Sequence, residues 1–123
     1  MHPDVLMFFE KKPQALPLYA LLEKKLFSLG ADVTCKVQKT QISFYNKRMF
    51  ACISFLPVMK SLPGSYITLT FGAGRRIEHE RIAVVAEPYP GRFTHHVVLT
   101  AAEDMNNEMM NWLQEAAAFA RKK

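Results

Sequence analysis

The stretch of residues 37–56 most constrains the fold, because it contains two strand-like runs joined by a short polar turn. Before the turn, Ile42 and Phe44 alternate with polar side chains, and after it residues 49–56 are apolar on both faces. Such alternation is typical of a half-buried strand, and a short connection makes two strands antiparallel. We predict a central hairpin with one buried and one polar face. The turn lacks glycine, so Asn46 is expected to take the positive φ.

Helical patterns flank this hairpin. A short first helix is predicted to begin near Pro3, and a second to cover residues 13–29 and stop at Gly30. Thr100 and Glu103 have the spacing of a capping box, which predicts the start of the last helix. The apolar face of that helix is predicted to consist of Met105, Met109, Trp112, Leu113, Ala116 and Ala120.

The remaining strands complete an α+β pattern. Strand-like alternation recurs at residues 33–37, 66–71 and 93–100, with a loop at residues 57–65. Residues 82–86 fit either a short strand or a covering loop. The order predicts a two-layer α+β domain, with a mainly antiparallel sheet of about five strands and helices from both termini packed on one face. A length of 123 residues favours a single domain, residues 1–123.

Positive charge is concentrated in the predicted sheet. The net charge is +5, and residues 31–92 carry nine basic and four acidic side chains. Residues 1–30 contribute +1 and residues 93–123 contribute −1. An excess of this kind attracts anionic partners. The plainer alternative is a set of solvated lysines that guard strand edges against aggregation.

Several classes of protein are disfavoured by what the sequence lacks. Two cysteines, Cys35 and Cys52, make no disulfide framework and suit a reducing, cytoplasmic location. The N-terminus does not have the pattern of a signal peptide, and no apolar run approaches the ~20 residues that span a membrane. No C-x-x-C pair or phosphate-binding glycine loop is present, and residues 78–81 fit a solvated charge run. We therefore expect no metal site and no cofactor.

The adjacent histidines, His95 and His96, are predicted to point to opposite faces of one strand, so they cannot hold one metal together. His95 lies on the same face of the strand as the apolar side chains and is predicted to be buried and hydrogen-bonded. His96 is the more accessible of the two and can serve as an acid or base.

Basic and aromatic residues on the polar sheet face and its loops form the predicted working surface. Tyr45 offers a stacking plane, while lysine and arginine contact anions. The candidate ligand-binding residues are Lys39, Gln41, Tyr45, Arg75, Arg92 and His96. No catalytic residue is assigned.

These residues favour a binding module for a small anionic ligand or an acidic protein segment. Three alternatives stay open: a nucleic-acid-binding protein, an enzyme that uses His96 and Lys39 as acid and base, and a homodimer formed through the open sheet face. No membrane partner is expected.

Two segments, residues 37–45 and 91–96, resemble a bacterial family catalogued as domain of unknown function 5655. The resemblance extends over nearly the whole chain, through the pairs Lys12-Pro13, Leu18-Tyr19, Trp112-Leu113 and Glu115-Ala116. It implies a stand-alone cytoplasmic member, and relatives are sometimes labelled predicted transport protein. The resemblance supplies no catalytic residue, because the family has no agreed reaction.

Overall fold

A computed structural model describes residues 2–58 and 65–122, which form one six-stranded antiparallel sheet and three α-helices. The strands are β1 (Thr34–Val37), β2 (Ile42–Tyr45), β3 (Met49–Ser54), β4 (Ile67–Ala73), β5 (Ile82–Tyr89) and β6 (Arg92–Leu99). The helices are α1 (Pro3–Phe8), α2 (Leu16–Phe27) and α3 (Asn107–Arg121), and two 3₁₀ turns span Pro13–Ala15 and Ala102–Asp104. The α+β prediction is confirmed, with six strands rather than about five. Part of the predicted 57–65 loop, residues 59–64, lies outside the described residues.

The strands follow the order β1-β2-β3-β4-β6-β5, so β6 lies inside the sheet and β5 forms one edge. All neighbouring pairs are antiparallel. β2 and β6 are therefore separated by β3 and β4, and they run in opposite directions. This arrangement decides which of the predicted site residues can meet.

The core lies on the sheet face that carries the alternating apolar residues. Phe44, Ala51 and Phe71 are paired in register across β2, β3 and β4, and each is at most 2 % exposed. Above them, α3 presents buried Met109, Trp112, Leu113, Ala116 and Ala120, with Met105 buried just before the helix. The predicted apolar face of the last helix is confirmed, and its burial drives the association of the two layers.

The segment that fits strand or loop, residues 82–86, is part of a strand at the sheet edge. Ile82 pairs with Val97 and Val84 with His96, so Ala83 is an extra residue that shifts the register. Such a bulge breaks the strict alternation by which strands are recognised in sequence. As a result, Ile82 and Val85 share the core-facing side although they are three residues apart.

Helix boundaries differ from the sequence prediction at two places. Residues 13–15 form a 3₁₀ turn, and α2 runs only from Leu16 to Phe27. The capping box at Thr100 and Glu103 was wrong, because the carboxylate of Asp104 accepts hydrogen bonds from the Thr100 and Ala101 N–H groups at 2.8 and 3.1 Å. The last helix begins later, where the Asn106 side chain caps α3 by accepting from the Met109 N–H at 3.0 Å.

The positive φ predicted for Asn46 was also wrong, since among the described residues only Gly91 has one. The turn between β2 and β3 is instead held by a hydrogen bond from the Asn46 N–H to the Arg48 carbonyl, at 3.0 Å. The Asn46 side chain donates to the Ala117 carbonyl of α3 at 2.9 Å, so this turn is tied to the helix layer. The tie fixes the backbone that carries Arg48.

Candidate anion-binding cleft

The six predicted site residues fall into three separate places. Lys39 and Gln41 lie where β2 begins, at one end of the sheet, whereas Arg92 begins β6 at the opposite end. Tyr45, the last residue of β2, and Arg75, which follows β4, lie at the Arg92 end. Lys39 and Gln41 therefore do not share a surface with Arg92, because β3 and β4 separate their strands and the strands run in opposite directions.

His96 lies in the middle of the open sheet face, in a row of paired residues that crosses all six strands. The row consists of Lys36, Ser43, Cys52, Thr70, His96 and Val84. The Nδ1 atom of His96 is 2.8 Å from the Thr70 hydroxyl, which also hydrogen-bonds the Cys52 thiol. Burial lowers the pKa of His96 and raises the pKa of Cys52, so both groups are neutral near pH 7.

Several polar side chains on this open face are buried and hydrogen-bonded within the protein. Ser43 is fully buried, and its hydroxyl is satisfied there: it accepts from the Gln41 side chain at 2.7 Å and donates to the Gln38 side chain at 2.9 Å. The Thr68 hydroxyl is equally buried and donates to the Leu56 carbonyl at 2.7 Å. These polar residues lie on the open sheet face, as the sequence predicts. Their hydroxyl groups, however, are already hydrogen-bonded within the protein.

His95 is buried and hydrogen-bonded, as its parity predicts. It is 0 % exposed, its Nε2 atom accepts from the Ile77 N–H at 3.0 Å, and its ring stacks on Phe71 with centroids 4.8 Å apart. Burial lowers the pKa of His95, an effect that the Phe71 carbonyl partly opposes. The neutral ring therefore acts as part of the core.

Ion pairs and hydrogen bonds divide the six arginines of the chain into two groups. Four are engaged: Arg75 with Glu115, Arg76 with Glu78, Arg121 with Asp32, and Arg81 with the Asp104 carbonyl. In the part of the chain that the structure describes, no acceptor is found for the side chains of Arg48 and Arg92. These two guanidinium groups line the same cleft.

We call this site the arginine cleft. It lies at the sheet end where β6 begins, between the β2–β3 turn, the β5–β6 turn and the end of α3, with a volume of about 560 Å³. Its lining residues are Arg48, Met49, Tyr89, Pro90, Gly91, Arg92, Phe119 and Lys122. Three of them are basic and none is acidic. The volume lies within the ~300–1,000 Å³ typical of small-molecule sites.

Arg92 is positioned by the backbone of the neighbouring strand. A Cβ atom at Gly72 would lie 3.0 Å from Nη2 and 3.1 Å from Cζ of Arg92. Only the absence of a side chain at Gly72 allows this approach. The Arg92 guanidinium thus lies against Gly72 with no carboxylate partner among the described residues, and its donors stay available to a ligand.

The β5–β6 turn presents an aromatic ring beside Arg92. Tyr89 and Arg92 are paired across the turn, and Pro90 and Gly91 occupy its two central positions. Gly91 has a φ of 80°, and proline followed by a positive-φ glycine matches a type II turn. The Glu87 carboxylate accepts from the Gly91 N–H at 3.1 Å. Tyr89 itself is 64 % exposed.

Lys39 and Gln41 line a different and more apolar cleft, with a volume of about 640 Å³. Lys12 lies over the Tyr66 ring there, with its Nζ atom 4.5 Å from the ring centroid. The Gln41 side chain is bonded to Ser43, and Glu10 adds a negative charge to the lining. The lining also contains Lys11, so the carboxylate of Glu10, rather than the number of cations, distinguishes this cleft from the arginine cleft.

Across residues 2–58 and 65–122, no three His, Cys, Asp or Glu side chains are grouped to hold a metal ion. His79, in the predicted charge run, is instead 2.9 Å from Glu108. None of the helices in those residues is long and apolar enough to cross a membrane.

Comparison with known proteins identifies the family. The family described as domain of unknown function 5655 matches residues 7–120, which is most of the chain. The chain belongs to this family. Neither a curated protein nor a solved structure matches it.

The family match covers most of the arginine cleft. Its range includes Arg48, Tyr89, Arg92 and Phe119 but ends before Lys122. The description of domain of unknown function 5655 names no ligand or reaction.

Three residues of the cleft, Arg48, Tyr89 and Lys122, are missing from the sequence-based set. The turn positions of Arg48 and Tyr89 were visible, and a tyrosine between Pro88 and Pro90 is an unusual signal. Their proximity was not visible, because it depends on β6 lying beside β4 and on α3 ending over the same edge.

Proposed function

We propose that the protein is a binding module that takes a small anionic ligand in the arginine cleft. The observation that carries the proposal is the pairing pattern of the arginines. The two whose side chains have no acceptor in the described residues, Arg48 and Arg92, are brought to one cleft from turns about 40 residues apart in sequence.

The chemistry of the cleft suits an oxyanion such as a phosphate. A guanidinium donates two parallel N–H bonds to a phosphate or carboxylate, and such charge-assisted bonds are stronger than neutral ones. No carboxylate side chain lines the arginine cleft, so a bound anion need not displace an internal partner.

The enzyme alternative has weaker support. Lys39 lines the more apolar cleft, whereas His96 lines neither that cleft nor the arginine cleft. In its row, His96 is flanked on one side by Thr70, whose hydroxyl is hydrogen-bonded to the His96 ring, and on the other side by the apolar Val84. An acid and a base need a shared pocket to act on one substrate.

The test is calorimetric titration of the protein with pyrophosphate at low salt. Replacing Arg92→Ala removes a charged donor and is expected to weaken binding about tenfold or more, and Arg48→Ala should act in the same direction. Arg76→Ala is the matched control, because it removes an equal charge from an exposed pair with Glu78 outside the cleft.

The control should bind pyrophosphate within about twofold of the unmodified protein, since an exposed pair contributes little. Two results contradict the proposal: no binding of pyrophosphate by the unmodified protein, or an equal loss in Arg76→Ala and Arg92→Ala. The second would show attraction to overall charge rather than a site.

A further inference from the structure

We infer that the anion taken by the arginine cleft carries a planar ring, as in a nucleoside monophosphate. The inference rests on the proposed function and adds the chemical class of its ligand. It starts from Tyr89, which lines the same cleft and keeps 64 % of its surface exposed.

The exposed ring is held in a restricted backbone. Tyr89 stands between Pro88 and Pro90, and proline fixes φ near −65° on both sides of it. The turn is closed at Gly91, where the positive φ suits glycine. A large aromatic side chain on such a support offers contact area at low entropic cost, as aromatic anchors in binding sites do.

The Tyr89 ring has no aromatic partner of its own in residues 2–58 and 65–122. The stacked rings of the protein belong to other clusters, around Phe55 and around Phe71. Any purine or pyrimidine base can stack on an aromatic ring, because every base has a π-face. The free face of Tyr89 therefore suits a base attached to the phosphate that Arg48 and Arg92 contact.

The dimensions favour a single nucleotide over a strand. The cleft of about 560 Å³ is bounded by two turns and the end of α3, and its cations are confined to this end of the sheet. A single-stranded nucleic acid requires a groove in which cations follow several successive phosphates. The cleft lined by Lys11, Lys12 and Lys39 lies at the opposite end of the sheet.

The experiment compares adenosine monophosphate, ribose phosphate and pyrophosphate by calorimetric titration. With the unmodified protein, adenosine monophosphate should bind about tenfold more tightly than ribose phosphate, because only the former stacks a base. Tyr89→Ala should remove this difference and leave the affinity for ribose phosphate unchanged. Tyr89→Phe keeps the ring and should preserve the difference.

The outcomes separate the two proposals. If pyrophosphate binds in an Arg92-dependent manner while adenosine monophosphate and ribose phosphate bind equally, the anion site stands and the planar-ring inference is wrong. If none of the three binds, both are wrong. If a short single-stranded oligonucleotide binds with a steep salt dependence while adenosine monophosphate does not, the ligand is nucleic acid and the mononucleotide inference is overturned.

Discussion

Arg92 packs directly on Gly72, with Nη2 of the guanidinium 3.0 Å from the position that a Cβ of residue 72 would occupy. The contact joins β6 to β4 at the end of the sheet where the arginine cleft opens. It gives a strand glycine a specific role, because glycine within a strand otherwise weakens it. Stability and ligand binding make opposite demands at this position.

Gly72→Ala should therefore separate binding from stability. The added methyl displaces the end of a flexible side chain rather than backbone, so the fold is expected to tolerate it, and alanine is favoured over glycine by about 0.5–1 kcal/mol in a strand. Pyrophosphate affinity should fall several-fold because Arg92 moves. Urea denaturation and calorimetric titration measure the two effects.

A double-mutant cycle with Arg92→Ala provides the control for this prediction. If Gly72 acts through Arg92, Gly72→Ala should have little further effect on pyrophosphate binding in the Arg92→Ala background. An additive loss would show that Gly72 affects the cleft by another route.

The helix cap offers a second prediction, since the sequence and the structure disagree about it. Asn106 accepts from the Met109 N–H at the start of α3, so Asn106→Ala should lower the free energy of unfolding by about 1 kcal/mol. Glu103→Ala is the comparison, because Glu103 is exposed and has no capping role. Its effect should stay within about 0.5 kcal/mol. A larger loss from Glu103→Ala in urea denaturation would restore the capping box predicted from sequence.

The two histidines give a third prediction. His95→Ala removes a stacked ring beside Phe71 and leaves the buried Ile77 N–H without its acceptor, so it should lower the free energy of unfolding by about 3 kcal/mol. His96→Ala, on the open face, should cost about 1 kcal/mol. Chemical denaturation of both variants measures the difference, and equal losses would contradict the assignment of His95 to the core.

The sequence predicted the layers better than the site, for a physical reason. Strand parity is local, so Ile42 and Phe44 were correctly expected to face a core and Ser43 the other side. The alternation of inward-facing and outward-facing side chains did not predict the strand at the Ala83 bulge, because one extra residue reverses which face the following side chains occupy. The ion-pair partner of a side chain is not determined locally. Arg75 pairs with Glu115, 40 positions away in sequence, and only the folded chain shows that Arg92 has no carboxylate in its cleft.

The last prediction concerns pH and follows from the lowered pKa values of His95 and His96. Burial is the main cause for both, so protons bind them less readily in the folded than in the unfolded protein. Below the unfolded pKa of about 6.5, the unfolded state therefore holds more protons and is favoured on acidification. Asp32 and Asp104 also have lowered pKa values, but their contribution is lost only nearer pH 4.

The free energy of unfolding should thus decrease steadily between about pH 7.5 and about pH 5, a window in which histidines dominate the titration. His96→Gln should reduce this slope without abolishing it, because His95 still titrates. Urea denaturation at several pH values checks the sign: a stability that rises on acidification through this window would mean that the folded protein prefers the charged histidines, contrary to their burial.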